Sequence, residues 1–196
     1  MRSFLGPRSE RGVTLIEMLL VVGIMGVVGA MGAAQIAEAR RSMQGDGAMR
    51  LVMSQFNLAR QMAVTQRRNM QLQFVGTNWM QIVRQEVPAG TTTLVSQAFE
   101  GNVTYRIVPS VTLDTPDGFG KTAAVSFGSS TTSIIFSSDG TLIDQSGNPL
   151  NGTVFLAVIN VPKSQRAVTV LGATGRVRGY KWTCNGNNSV CAWNRV

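Results

Sequence analysis

The sequence predicts an α+β protein: one long N-terminal helix, membrane-spanning in its first half, followed by a C-terminal antiparallel β-sheet domain. Three observations predict it. Residues 13–34 are an apolar run of 22 with a single charge, Glu17. A helical period continues beyond that run to about Arg68. From Met70 onward the pattern changes to short alternating runs separated by Gly, Pro, Asn and Asp, the period of a pleated strand.

The 196 residues leave room for one modest globular domain beyond the apolar segment. Eighteen Lys and Arg against 10 Asp and Glu give a net charge of +8, and loss of residues 1–12, with three Arg and one Glu, leaves +6. The charge is uneven. No acidic side chain follows Asp144, whereas Lys163, Arg166, Arg176, Arg178, Lys181 and Arg195 all do. Such a basic third suits an anionic partner, nucleic acid or lipid headgroups, and equally a simply basic secreted domain. The chain has no histidine, so the commonest general base and neutral metal ligand are both missing. With no nucleophile constellation either, a membrane-anchored enzyme is disfavoured. No cofactor or metal is expected: two thiols without histidine cannot complete a zinc site. Asp114 and Asp117 supply only two carboxylates in a Pro- and Gly-containing stretch that reads as a loop.

At about 1.5 Å per residue, the segment Val13–Ala34 reaches about 33 Å, enough to cross a hydrocarbon core of about 30 Å. Arg2, Arg8 and Arg11 precede it, and the positive-inside bias keeps that end cytoplasmic and sends the rest outward. A secretory signal would have a shorter apolar core and a cleavage site on its far side. Here the informative chemistry lies at the near end. Glu17 stands within Gly12-Val13-Thr14-Leu15-Ile16-Glu17-Met18-Leu19-Leu20, where a carboxylate at mid-membrane depth costs about 2.5–3.5 kcal/mol. It calls for a partner.

This block resembles the type IV prepilin signature: a basic leader ending in Gly, a hydrophobic residue, Thr, Leu, Ile, Glu and an apolar helix. The resemblance implies a leader over residues 1–12, cut by a prepilin peptidase between Gly12 and Val13, with methylation of the Val13 amine. Val13 stands where Phe is commonest in that family. The new ammonium at Val13 would meet Glu17 of a neighbouring subunit inside an apolar bundle. Residues 13–36 are then the transmembrane and filament-core helix. Gly23, Gly26, Gly29 and Gly32 recur every third position, small residues that permit close helix packing or local unwinding.

The outer half of the helix, residues 37–68, carries an apolar stripe of Ala48, Leu51, Val52, Leu58, Ala59, Met62 and Ala63. Arg50, Arg60 and Arg67 lie mostly off it and read as solvated surface. Gly45 and Gly47 flank Asp46 and predict a bend or break. In the β-rich domain, residues 69–196, the runs Met70–Phe74 and Trp79–Arg84 flank Gly76-Thr77-Asn78 and predict a hairpin. Further strands are expected at Thr93–Phe99, Asn102–Val108, Ala123–Phe127, Ser133–Ser137, Thr153–Asn160, Ala167–Leu171 and Arg176–Trp182, forming antiparallel sheet against the helix.

Three stretches sharpen the resemblance: Asn57-Leu58-Ala59-Arg60-Gln61-Met62-Ala63, Ile134-Ile135-Phe136-Ser137-Ser138-Asp139-Gly140, and Val168-Thr169-Val170 followed by Gly172-Ala173-Thr174-Gly175-Arg176-Val177-Arg178. Together they look like the FimT/GspH group of minor pilins and pseudopilins. That implies a pilin-like fold and a single-pass inner-membrane subunit with its C-terminal domain in the periplasm. The subunit would join other pilin or pseudopilin subunits through its N-terminal helix and pass into a pilus or pseudopilus. Two roles follow: a minor type IV pilin that aids assembly initiation, or a GspH-like minor pseudopilin of a type II protein secretion system.

Regular alternation puts Arg176, Arg178, Tyr180 and Trp182 on one strand face, with Lys181 between them. Arginine pairs bidentately with phosphate and exposed aromatics stack on unpaired bases, so the face is a candidate DNA surface. In DNA-binding members of the FimT group a Gly-Arg-x-Arg motif contacts DNA during natural transformation, and Gly175, Arg176 and Arg178 match it. Cys184 and Cys191, seven positions apart, can close a small disulfide loop that persists in an oxidising compartment.

Overall fold

The structure is a computed structural model describing residues 12–120, 123–128, 130, 132–185 and 190–196. Arg2, Arg8 and Arg11, expected in a leader, lie outside the described residues. The chain divides into two compact units, one up to Ala39 and one from Arg40 to Val196.

In the first unit the helix α1, Leu15–Gln66, begins. Its start has a local cause. The Thr14 hydroxyl accepts a hydrogen bond from the Glu17 backbone N–H at 3.3 Å, so Thr14 and Glu17 stand at the N-cap and third helical positions of the pattern Thr-x-x-Glu. The apolar residues that follow, among them Leu15, Ile16, Leu19 and Met25, are exposed. By length and composition this helix can cross a membrane.

The second unit packs the outer part of α1 against eleven described strands. The first sheet runs in the order β3 (Thr91–Ala98), β2 (Trp79–Gln85), β1 (Met70–Val75), β6 (Ser133–Phe136), β7 (Leu142–Ile143). The second runs β11 (Cys191–Arg195), β10 (Arg176–Cys184), β9 (Arg166–Leu171), β8 (Gly152–Val158), β4 (Val103–Tyr105), with β5 (Val125–Phe127) also on β8. All pairings are antiparallel, and β1 and β2 form the expected hairpin with Val75 opposite Trp79. The strands divide between two sheets because β1 takes β6 as its second neighbour while β8, β9 and β10 pair in succession.

The helix face that enters the core is the predicted stripe, joined by Met49 and Phe56. Phe56 meets Phe74, Phe127 and Phe136 edge-on, with ring centroids 6.3, 6.1 and 6.4 Å away. One ring thereby joins the helix to both sheets. Gly45 and Gly47 neither end nor interrupt α1, contrary to the sequence reading. Gly45 is where the backbone of the 3-10 turn Pro162–Ser164 crosses the helix: a Cβ there would lie 2.4 Å from the Ser164 carbonyl oxygen.

Strand β8 is buried along its whole length because both faces are covered. Its free edge is shared: Val103–Tyr105 stand opposite Leu156–Val158, and Val125–Phe127 opposite Gly152–Val154. The segment between β4 and β5 leaves this edge and covers the outer face of the second sheet. There Val108 and Val111 join Phe155, Ala157, Ala167, Tyr180, Trp182 and Trp193 in a second buried cluster. This is why the strand expected over Asn102–Val108 stops at Tyr105. The buried Gln165 side chain accepts from the Val108 N–H at 2.8 Å and donates to the Arg106 carbonyl at 3.0 Å, taking the place of a neighbouring strand.

Candidate functional site

Strand β10 alternates as expected, but its two faces meet different surroundings. Val177 packs on the main core and Lys181 also points to the helix side, where its ammonium lies 3.6 Å from Asp46. Asp46 chiefly serves another cation. Arg166 is fully buried, and its Nε donates to Asp46 at 2.6 Å. Its Nη1 donates to the Lys163 and Gln165 carbonyls at 2.8 and 2.9 Å, and its Nη2 to the Ser42 carbonyl and hydroxyl at 3.1 and 3.0 Å. A buried guanidinium is tolerated because its donors are met and a carboxylate balances it. Burial pushes the Asp46 carboxyl up, and the hydrogen bonds and charges of Arg166 and Lys181 outweigh this and hold it below the usual range. Lys181 therefore belongs to a partly exposed clasp between α1 and the second sheet, on the strand face opposite Arg176 and Arg178, and not to the common surface expected for it.

Tyr180 and Trp182 do lie on the opposite face with Arg178, yet they are not exposed platforms. Tyr180 is 3% and Trp182 5% exposed. The segment after β4 covers them. Asp117 in that segment accepts from the Tyr180 hydroxyl at 3.2 Å, from Thr169 at 2.5 Å and from Thr115 at 2.8 Å. It is a loop fastener, in keeping with the loop expected around it. Trp193 donates from its indole nitrogen to the Thr112 carbonyl at 2.8 Å and meets Trp182 edge-on, the two being direct cross-strand partners. Tyr180 and Trp182 are core residues, and base stacking on them is excluded while the cover is in place.

Arg176 and Arg178 remain. Arg176 is exposed, Arg178 partly so, and neither forms an ion pair among the described residues. They follow Gly175, which caps the 3-10 turn Gly172–Thr174 with φ +62, a left-handed conformation that favours glycine. Here the sheet has a rim. The carbonyl of Gly140, in the turn after β6, would lie 2.5 Å from a Cβ on Gly175. The Arg60 Nε donates to that carbonyl at 3.2 Å and would lie 2.7 Å from the same Cβ. Arg60 is thus an anchored side chain at this rim, although it remains exposed, and the three stretches Asn57–Ala63, Ile134–Gly140 and Gly172–Arg178 converge on it. Asp139, beside Gly140, turns its carboxylate onto Ser137 and Thr141, and these hydrogen bonds hold its pKa down to about 2.

Cys184 and Cys191 are joined by a disulfide across the β10–β11 pair. Strand β11 itself was not expected, though two cysteines able to bond across a short turn are a signal for it. Among the described residues no group of three or more His, Cys, Asp or Glu could hold a metal. At the other end of the chain, Val13 and the helix start at Leu15 are exposed, with Thr14 between them as the cap. Gly12 precedes them outside any helix or strand.

Comparison with known proteins gives these features a setting. The family described as "Type II transport protein GspH" matches residues 48–175, well over half of the chain. The chain belongs to the GspH family. A second family, the "Prokaryotic N-terminal methylation motif", matches residues 7–33, a span that includes Gly12, Val13 and Glu17. Together they make the chain a minor pilin or pseudopilin of the type IV pilus or type II secretion class. The GspH match includes Arg60, Gly140 and Gly175 and ends immediately before Arg176. The crystal structure of the type IV minor pilin FimU from Pseudomonas aeruginosa is similar with a TM-score of 0.47 and 16% identity, covering 67% of this chain and 84% of that one. No curated protein matches the chain.

Proposed function

We propose that this GspH-family chain is a minor subunit of a type IV pilus that aids assembly initiation and presents DNA with a phosphate-binding rim at Arg176 and Arg178. The leader is cut by a prepilin peptidase after Gly12, and the subunit waits in the inner membrane with its β-rich part in the periplasm. That compartment suits the Cys184–Cys191 disulfide. The exposed apolar side chains of residues 13–31 would be covered first by lipid and then by the helices of other subunits. One carboxylate in that surface, Glu17, answers the Val13 amine of a neighbour. Glu17 sits one helical turn from the chain start that cleavage would create.

The observation carrying the DNA reading is that Arg176 and Arg178 have no protein partner among the described residues, while Lys181, Tyr180 and Trp182 on the same strand are all engaged. Free guanidiniums at a rim take phosphate oxygens in pairs. With the aromatics buried, stacking contributes nothing, so the reading requires sequence-independent, salt-sensitive binding. Two phosphates neutralised on duplex DNA give a log–log salt slope of about −1.8. The test is a gel mobility shift with the detergent-solubilised chain and its Arg176→Gln/Arg178→Gln variant. Unchanged affinity and salt dependence in the variant would end the proposal.

The secretion reading rests on the description of the matched family as a type II transport protein. A null strain separates the two. Loss of transformation with secretion intact supports the pilus assignment, and the reverse supports the pseudopilin.

A further inference from the structure

We propose that Arg60, on α1, is a third phosphate-binding cation of the Gly175 rim, engaging a different phosphate of the nucleic-acid backbone from those met by Arg176 and Arg178. This rests on the DNA reading above and extends it to a residue on another element and on the other side of the sheet. Arg60 occupies the helix-facing side of the β10 start, where its Nε is held by the Gly140 carbonyl and by the absence of a side chain on Gly175. Its two terminal nitrogens have no protein hydrogen bond among the described residues, and the side chain is exposed. Anchoring at Nε leaves the guanidinium's outer edge, with its paired donors, directed at whatever lies against the rim.

Arg176 starts one residue from that contact, about 3.8 Å along the chain. Cations therefore lie on both sides of a single turn, Arg60 anchored from the helix on one and Arg176, unpaired among the described residues, on the other. A backbone crossing the turn meets Arg60 first from one side, then Arg176 and Arg178 from the other. The acidic group at this rim, Asp139, is turned onto the hydroxyls of Ser137 and Thr141 and the Thr141 N–H, so that the Gly140 carbonyl and not the carboxylate meets Arg60. It still places one negative charge beside the proposed path.

Salt dependence counts the cations. Three phosphates on a duplex give a slope of about −2.7, against about −1.8 for two. Fluorescence anisotropy of a duplex oligonucleotide with the full chain in detergent, over 50–200 mM salt, should show wild-type affinity falling about 40-fold, and Arg60→Gln affinity only about 12-fold. Arg60→Lys keeps the charge without the Nε contact and should retain most of the wild-type slope. Asp139→Asn should tighten binding. If Arg60→Gln keeps the full slope while Arg176→Gln/Arg178→Gln reduces it, Arg60 is not a phosphate ligand and the DNA reading stands. If none of these variants alters the slope, both fall. If Arg60→Lys is as impaired as Arg60→Gln, and both melt at lower temperature than wild type, Arg60 is only a brace for the Gly140 turn and the proposal fails.

Discussion

Gly45 and Gly47 lie two residues apart on one helix, and replacing each by alanine should move stability in opposite directions. In a helix interior alanine is favoured over glycine by about 1 kcal/mol. At Gly47 nothing lies within 4 Å of the added Cβ, so the whole gain is realised. A domain of this size shifts by about 2–4 °C per kcal/mol, and Gly47→Ala should melt higher by that amount. At Gly45 the new Cβ would stand 2.4 Å from the Ser164 carbonyl oxygen and 3.2 Å from its carbon. These are backbone atoms of a turn that is tied down: the Ser164 hydroxyl accepts from the Val158 N–H at 2.8 Å and donates to the Val161 carbonyl at 2.6 Å. Nor is the neighbouring Lys163 carbonyl free to move, since it accepts from Arg166. Forcing a methyl into such a contact costs about 1–3 kcal/mol, and displacing those bonds adds to it. A net loss of about 1–2 kcal/mol is expected, lowering the melting temperature by roughly 2–8 °C. Near-ultraviolet circular dichroism of the detergent-solubilised chain reports this, because all three tryptophans, Trp79, Trp182 and Trp193, lie in the β-rich unit. A Gly45→Ala protein as stable as wild type would refute the close crossing of helix and turn.

Three further outcomes are expected. Asp46→Asn leaves the buried Arg166 without its carboxylate. Breaking a fully buried pair costs about 3–5 kcal/mol, and because Asp46 is 30% exposed a loss of about 2–3 kcal/mol is expected in thermal melts. Since the Asp46 carboxyl is lowered from its ordinary 3.8, its contribution is complete above that pH and disappears as pH falls through the lower folded-state value. The wild type but not Asp46→Asn should show this component of acid destabilisation. Phe56→Ala removes the ring shared by both sheets and should cost about 3–5 kcal/mol, measured by denaturant unfolding; a loss under about 1 kcal/mol would contradict its central position. Replacing both Cys184 and Cys191 by Ser should lower stability by about 2 kcal/mol. A reductant should reproduce that drop in wild type and have no effect on the double variant.

Much of this arrangement was legible in local pattern. The stripe from Ala48 to Ala63 repeats at helical spacing because one side of α1 faces a core, and the β1–β2 hairpin announces itself through its turn residues. Alternation also placed Arg176, Arg178, Tyr180 and Trp182 on a common face correctly. What it lacked was the cover, since Val108, Val111 and Asp117 come from a segment remote in sequence and no local rule states where such a segment folds back. The same limit hid the clasp. Asp46 between two glycines reads as a helix breaker until Arg166, 120 residues away, supplies the reason for a charge there and Ser164 the reason for a glycine. Two further features have local sequence signals: Thr14 and Glu17 stand in capping register, and the cysteine pair marks β11.

The shared edge of β8 separates two design problems in this domain. Both ends of the 106–124 segment return to the same strand, so its length does not enter the register of any sheet. Extending such a loop costs only about 0.6 kcal/mol per doubling. The outer face of the second sheet can therefore change its covering, in length and chemistry, while the strand ladder beneath stays the same. A lineage that gained or lost a ligand on that side would need to alter only this one covering panel, provided that its replacement still buries Tyr180, Trp182 and Trp193.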